Sequence, residues 1–580
     1  MLKRRFFRII LYLLAVLLAL FLAFYLYYRV VTNIKEPGIA ASQKISMERV
    51  TTGPDSYSCE HGWLRKAREG WWEMYLEGSP YEIGYAHGLL TKELMEKQER
   101  AFLNRLEEII PSKFYQDFML AFTRFFNRNL DEYILPEFQQ EIYGISHFAS
   151  PEFDFMGPAY ARMLNYHAAH DIGHAMQNMN LVACTAFGAW DARSADSSLI
   201  IGRNFDFYLS DDFAKDKILC FVRPDSGYCF VMVTWAGFAG VVSGMNEKGL
   251  TITLNAAKSS IPYSSRTPVS LLGREILQYA SNIAEAYAIA QKKQTFVAES
   301  FLVGSAADHK AVVIEKSPEK IALYDPGTNY LIVTNHFQSD TFLNDPLNME
   351  DMANETSVYR YKRVDELIHS NPPVDPIIAA RILRDYKGLD NKDIGLGNEK
   401  AVNQFIAHHS IIFKPEQRQF WVAGPPWQLG EYWEYDLDTV FAHGQVARPG
   451  IDAKGGNAPG RNAPGRDAPG RDAKFCVSTK AGSTIPADGI LSATTVQNLL
   501  KYRTLSRKIE KGEFKKGDAD SLIFYNPEFF HTYRILGDYF KSKGEGHRAE
   551  EYYRLALEKE APSAAERKST VSSQQSAASK

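Results

Sequence analysis

The chain is poor in cysteine: Cys59, Cys184, Cys220, Cys229 and Cys476 are the only five in 580 residues, and their spacing matches no metal site. An odd count leaves at least one thiol free. Excess charge is lacking as well. With 66 Lys and Arg against 69 Asp and Glu the formal net charge is -3, which removes the electrostatic argument for a nucleic-acid partner. What the chain does have is 45% hydrophobic and 13% aromatic residues, ample for globular folding. Its length suggests about two to four units at roughly 100 to 200 residues each.

Basic Lys3, Arg4 and Arg5 precede "IILYLLAVLLALFLAFYLYY", Ile9 to Tyr28, which carries no charge. Such a run spans a hydrocarbon core of about 30 Å as a helix. A cleavable signal peptide is the rival reading. It is disfavoured by the length of the run and by bulky "FYLYYRVV" where small cleavage-site residues belong. With the basic cluster held inside, residues 1–35 are expected to be a cytoplasmic tip and single-pass signal-anchor. The body then faces outward, as suits a bacterial envelope.

Residues 36–183 read as mostly helical, beginning with "SPYEIGYAHGLLTKELMEKQERAFLNRLEEII" after a Ser79-Pro80 start. From residue 184 to 445 short β-rich runs alternate with helical pairs, which predicts an α+β domain with packed sheets and helices outside. "KILCFV" and "YCFVMVTW" form an expected hairpin around "RPDSG", so Cys220 and Cys229 are either a cross-strand disulfide or two ordinary strand cysteines. Residues 446–475 contain "GGNAPGRNAPGRDAPGRDA", an Ala-Pro-Gly-Arg repeat with nothing to build a core, hence a linker. Residues 476–560 carry Leu536, Gly537, Tyr539, Ala549, Tyr552, Tyr553, Ala556 and Leu557, the pattern of one tetratricopeptide-like (TPR-like) helical hairpin. That unit is expected to dock on the main domain or to offer a surface to a protein partner. The polar tail 561–580 reads as disordered.

Cys184 lies in "NLVACTAFGAWD", shortly before "GRNFDF", Gly202 to Phe207. A cysteine attacks a carbonyl as thiolate, usually with a histidine as base. No histidine is close in sequence, though a distant one could fold nearby. Alternatively the cysteine becomes an N-terminus, so that its own α-amino group, with a pKa of about 7.7 to 8.0, serves as base. That requires a self-cut between Ala183 and Cys184.

Cys184-Thr185, Gly202-Arg203-Asn204-Phe205-Asp206, "SGMNEKGLTITLN", "IVTNHF" and "SVYRYKR" follow in an order that resembles the cysteine N-terminal-nucleophile (Ntn) hydrolases. The similarity is to the acyl-coenzyme A:6-aminopenicillanate acyltransferase family, peptidase family C45, with penicillin V acylase and bile salt hydrolase as cousins. "GSPYEIGYAHG", Gly78 to Gly88, looks like the pro-segment signature of that branch. The resemblance covers residues 75–425. It implies a four-layer αββα sandwich and an autoproteolytic cut at Ala183/Cys184, with Cys184 as nucleophile. Arg203 would favour the thiolate, and Asp206 would hold the new α-amino group. Asn335 would be the oxyanion-hole amide, Asn255 a second position near it, and Arg360 would tie the site together. Ala183 departs from the glycine that precedes the cut in the fungal acyltransferase.

The implied activity is that of an amidohydrolase or acyltransferase acting on a small acyl amide or lipid-like substrate, with no cofactor or metal. A coenzyme A-dependent N-acyltransferase and a phospholipase or lipid amidase are alternatives on the same residues. A membrane-anchored binding scaffold is the non-enzymatic one. A zinc reading of His167, His170 and His174, on one helical face beside Asp171, lacks the HExxH glutamate. These histidines are expected to line the packing of the pro-segment against the catalytic domain.

Overall fold

A computed structural model describes residues 2–39, 46–67, 70–168, 183–207, 210–260, 265–443, 484–486, 492–515 and 517–578. Helix Leu2–Val31 carries the N-terminal apolar run, and its stretch Arg5–Val31 is long and apolar enough to cross a membrane, a property a signal sequence shares. The linker 446–475, Cys476, His170, Asp171 and His174 lie outside the described residues.

Two sheets organise the body. In the larger, eleven strands lie in the order Val50–Gly53, Ser56–Cys59, Gly62–Lys66, Trp72–Gly78, Ile218–Pro224, Phe230–Thr234, Ser243–Asn246, Leu250–Ala256, Glu299–Ser305, Lys310–Lys316 and Ile321–Tyr324. The smaller has seven: Tyr330–Val333, Thr185–Asp191, Ser197–Phe205, His409–Lys414, Gln419–Ala423, Tyr432–Asp436 and Thr484–Ile485. Among the described strands only Trp72–Gly78 and Ile218–Pro224 pair in parallel.

Four of these strands fall before residue 79, inside the segment expected to be mostly helical. Ser56–Cys59 and Gly62–Lys66 are too short to establish a period. Trp72–Gly78 is buried at every position, so it lacks the in-out alternation of a half-buried strand. The expected helices follow from Pro80 on. Pro80 opens helix Pro80–Ile109, and the Glu82 carboxylate accepts from the Ser79 amide at 2.7 Å. This helix crosses helix Pro136–Ser146 so closely that a Cβ on Gly84 would stand 1.9 Å from the Glu141 carbonyl oxygen, and one on Gly144 would stand 2.5 Å from the Tyr85 nitrogen. The glycines of "GSPYEIGYAHG" are thus a packing requirement within the N-terminal segment.

Apolar side chains collect in three large cores. One joins the larger sheet (Met74, Ile252, Phe301) to helices through Leu90, Ile142 and Leu272. A second lies between the sheets, where Phe221, Val231 and Leu302 meet Leu199, Ile201 and Phe413. A third joins the smaller sheet (Phe187, Ile200, Ile412) to Val364, Ile378 and Leu383 of helices Ser357–Ser370 and Pro376–Leu383.

Cys220 and Cys229 are both free, because Cys220 faces Met232 across the ladder and not Cys229. The chain returns to the smaller sheet as strand Thr484–Ile485 before its C-terminal helices begin. Five of these are described: Ala493–Glu510, Asp518–Tyr525, Phe530–Ser542, Gly546–Leu557 and Ala564–Ala578. The last overturns the expectation of a disordered tail. Its Thr570 and Ala577 are buried, and Arg534 donates to Thr570 Oγ1 at 2.6 Å. Small residues let that helix lie flush, which a polar composition does not reveal. The unit docks on the main domain: Lys392 and Lys400 meet Glu560 at 2.8 and 2.6 Å, and Arg503 covers Trp427 at 4.2 Å while donating to the Phe405 carbonyl.

Candidate functional site

Cys184 stands at the head of strand Thr185–Asp191, which pairs antiparallel with Ser197–Phe205 so that Thr185 faces Asn204 and Ala186 faces Arg203. The Ala183 amide donates to the Asp206 carbonyl at 3.0 Å and carries the ladder past both strand ends. Side chains alternate between the faces of this ribbon, which separates the site residues into two sets. Arg203 shares the inter-sheet face with Ala186 and Ile201. Thr185 and Asn204 take the other face, toward the helices: Asn204 donates to the carbonyls of Leu383 and Val402, and Thr185 meets Arg360.

On the inter-sheet face Arg203 donates to Cys184 Sγ at 3.5 Å. Its remaining bonds go to the carbonyls of Val242 and Leu254 and to Ser243 Oγ. Arg203 acts on the thiol in the direction of the thiolate but does not decide the balance. Burial outweighs the arginine and pushes the Cys184 thiol up to about 11, with Arg203 opposing and Asp206 and Glu299 assisting. A fully buried thiol loses more by ionising in a low dielectric than one cation at 3.5 Å returns.

On the helix face Arg360 donates to the Cys184 carbonyl at 2.6 Å, to Thr185 Oγ1 at 2.8 Å and to Asn335 Oδ1 at 2.6 Å. Asn335 is thereby oriented with its amide nitrogen on the Ala256 carbonyl at 3.0 Å. Asn255 gives its amide hydrogens to the Val333 and Thr334 carbonyls, both at 3.2 Å, and so fixes the strand end that leads into Asn335. Asp206 is fully buried, and neither carboxyl oxygen has a hydrogen-bond partner among the described residues. Burial raises it to about 7, although Arg360 and Arg203 both pull the other way. Arg203 and Arg360 contact Cys184 directly, Asp206 meets Ala183 through its backbone, Asn335 joins them through Arg360, and Asn255 lies one step further out on the strand end that leads into Asn335.

Several neighbours carried no sequence signal. Gln404 is buried and directs Nε2 at the Ala183 carbonyl oxygen, 3.5 Å away. It lies on a loop whose fold partner is 221 residues distant, beyond any local pattern. His409 Nε2 meets Ser243 Oγ at 2.8 Å, linking a buried histidine pair, His408 and His409, to the hydroxyl that also serves Arg203. Burial holds both histidines well below the ordinary imidazole range. The loop before Ser243 is held by two histidines of the N-terminal segment: His87 Nε2 accepts from the Gly237 amide at 3.1 Å, and His167 Nε2 accepts from the Ala239 amide at 2.9 Å. With its Nδ1 on the Met163 carbonyl, His167 has both ring nitrogens engaged in packing. No cluster that could hold a metal occurs among the described residues. Cys184 belongs to a buried apolar cluster with Ala101, Phe205, Phe207, Phe213, Phe238 and Val242, which forms an apolar wall on its side of the site.

A sequence profile described as acyl-coenzyme A:6-aminopenicillanic acid acyl-transferase matches residues 193–424. The match takes in Arg203, Asp206, Asn255, Asn335 and Arg360 and begins downstream of Cys184. An uncharacterized protein of Archaeoglobus fulgidus is 28% identical over 290 residues, 46% of this chain and 47% of that one. Protein dcd1B of Dictyostelium discoideum is 24% identical over 276 residues, 44% and 52% of the respective chains. The chain thus spans about half the length of these curated relatives. Among solved structures, a Caenorhabditis elegans N-acylethanolamine-hydrolyzing acid amidase ortholog is similar at 18% identity and a TM-score of 0.29, covering 40% of this chain and 93% of its own. Penicillin V acylase from Agrobacterium tumefaciens is similar at 12% identity and a TM-score of 0.29, covering 44% and 86%. Over residues 193–424 the chain is thus similar to the acyl-coenzyme A:6-aminopenicillanic acid acyl-transferase family.

Proposed function

We propose that this chain is an N-terminal-nucleophile amidohydrolase or acyltransferase that matures by cutting itself between Ala183 and Cys184. The observation that carries the reading is Asp206, a fully buried carboxyl with no hydrogen-bond partner among the described residues, beside the one peptide bond whose scission would give it an ammonium. An unpaired buried carboxyl costs stability, and a cut that frees the Cys184 α-amino group supplies what it lacks.

In the cut, Cys184 Sγ adds to the Ala183 carbonyl carbon and its proton passes to Asp206, whose carboxyl titrates at about 7 and so exchanges protons near neutral pH. Gln404 Nε2 donates to the oxyanion that forms on Ala183, and Arg360 steadies Cys184 through its carbonyl. Collapse breaks the C–N bond, Asp206 returns the proton to the departing nitrogen, and water hydrolyses the resulting thioester. In turnover the freed α-amino group takes the thiol proton, which a thiol raised to about 11 by burial cannot release unaided. Asn335 serves the substrate oxyanion, with Asn255 and Arg360 holding its strand end and side chain.

The apolar wall beside Cys184 favours an apolar acyl group. Water or an amine then resolves the acyl-enzyme. A single-pass anchor over Arg5–Val31 with the body outside the cytoplasm favours hydrolysis over transfer from a coenzyme A thioester. The three stacked cores support the four-layer αββα arrangement, with residues before 184 as pro-segment. The C-terminal helices buttress the Gln404 loop through Arg503 and Phe405, which supports a packing role over a free scaffold.

Intact mass of the purified wild type against Cys184→Ala tests the proposal. The wild type is expected as two chains with a new N-terminus at Cys184, and the variant as one inactive chain. A wild type that stays whole and hydrolyses acyl amides would overturn it.

A further inference from the structure

Helix Lys113–Phe126 presents an aromatic stripe to the outside. Phe114, Phe118 and Phe122 follow one another at four-residue steps, and with Tyr115 and Phe155 beside them they are 48–83% exposed. Single exposed aromatics are ordinary, but a contiguous helical stripe of them marks a contact surface. The helix is anchored across from the stripe and at its end: Gln116, on the far side, donates to the Ile110 carbonyl at 2.6 Å, and Phe126, one step beyond Phe122, packs on Phe296 with ring centres 5.2 Å apart. The stripe is therefore not a frayed element awaiting its own core.

The surroundings identify what covers it. The C-terminal end of helix Leu2–Val31 runs onto this same helix. Tyr28 donates its hydroxyl to the Ala121 carbonyl at 3.2 Å, and the rings of Tyr27 and Tyr28 lie 6.5 and 6.4 Å from that of Phe125. Tyrosines at the end of an apolar span sit at headgroup depth. Lys113 lies over Phe155 at 5.2 Å and Arg128 over Phe125 at 4.6 Å, which adds cations at the stripe's margin. An aromatic face bordered by basic residues is the pattern of a helix lying in the bilayer interface.

We propose that helix Lys113–Phe126 is a second membrane contact, lying flat in the headgroup and upper acyl region of the bilayer that Arg5–Val31 crosses. The proposal rests on the reading of Arg5–Val31 as a membrane span. One anchor leaves the body free to tumble on a tether, whereas two contacts set its orientation. The helix that precedes the stripe, Pro80–Ile109, is also the one that brings Ala101 into the apolar wall around Cys184. The membrane contact therefore leads, through one rigid element, to the candidate site.

The test uses the full-length chain in vesicles of phosphatidylcholine with a minority of phosphatidylglycerol. Tryptophan is introduced as Phe118→Trp and, as a control, as Phe524→Trp on the C-terminal helices, where the phenylalanine is 72% exposed. Emission is read as the difference from the unsubstituted protein. The emission added at position 118 is expected to be blue-shifted, lost to brominated phosphatidylcholine and retained in acrylamide, with the reverse at 524. Acrylamide quenching at 118 equal to that at 524 would overturn the proposal. So would protection from both quenchers, which means that another protein surface, such as a second copy, covers the stripe. Alkaline carbonate extraction separates the two layers of inference. A chain released from the vesicles sinks the spanning helix and this proposal with it, whereas a retained chain with a water-exposed position 118 sinks only the interfacial helix.

Discussion

Two of the buried arginine–carboxyl neighbourhoods in this fold are built in opposite ways. Arg274 and Glu141 form a two-point pair at 3.2 and 3.0 Å, with further bonds from Arg274 to Gln278 and the Ala239 carbonyl. Arg203 and Arg360 both act on Asp206 electrostatically, yet among the described residues their hydrogen bonds go to carbonyls, hydroxyls, an amide oxygen and the Cys184 thiol, and none to a carboxylate. The first arrangement satisfies its charges and holds helices Pro136–Ser146 and Val269–Tyr279 together. The second leaves a carboxyl, and the amide oxygen of Gln404, without hydrogen-bond partners among the described residues. On the proposed reading, incomplete pairing beside one peptide bond is what separates a reactive centre from a structural one of similar composition.

Breaking the complete pair has the largest expected effect on folding. Arg274→Met strands Glu141 as a buried charge and is expected to cost about 3–5 kcal/mol, while Arg274→Met with Glu141→Leu recovers most of it. Denaturant titration reads both, and a double variant no better than the single would show that the pair is not the coupled unit. The corresponding change at the incomplete centre strikes the rate. Gln404→Met keeps side-chain length but removes the donor on the Ala183 oxygen, and is expected to slow the cut by about 10²- to 10³-fold. Its melting temperature should stay close to that of Cys184→Ala. A cut at the wild-type rate would remove Gln404 from the processing chemistry while leaving the role of Cys184 intact.

The legibility of the two neighbourhoods in the sequence differs for the same reason. Cys184, Arg203 and Asp206 sit on one hairpin, and their pairing follows from short, β-rich runs read in order. Ser79-Pro80 and the helices after it were equally plain, since capping chemistry and helical period are local. Glu141 and Arg274 meet across 133 residues, and Gln404 reaches Ala183 across 221, so no window of sequence contains either contact. Trp72–Gly78 escaped because a strand covered on both faces shows no period, and the final helix because its packing residues are small. The cation beside the thiol was legible, but the burial that outweighs it was not, since only the fold sets the dielectric around Cys184.

Asp206→Asn, read as a change in pH slope, separates the two neighbourhoods most directly. In the uncut chain, burial places the Asp206 carboxyl at about 7, above its value in the unfolded chain of about 3.9. Between those limits the folded chain keeps a proton that the unfolded chain has released, so folding stability is greatest below the lower limit and declines as pH rises toward the upper one, by at most about 1.4 kcal/mol per pH unit. Measured in a Cys184→Ala background, which stays uncut, Asp206→Asn should abolish that slope and raise stability near neutral pH. Glu141→Gln should lower it, since a partnered carboxylate is lost. In the cut protein that the proposal requires, the α-amino group is expected to stabilise the carboxylate, pull its pKa down and remove the slope without any substitution at 206. Equal slopes in the uncut Cys184→Ala chain and the cut wild type would mean that the ammonium never reaches Asp206, and the reading of that carboxyl as the partner of the new N-terminus would fail.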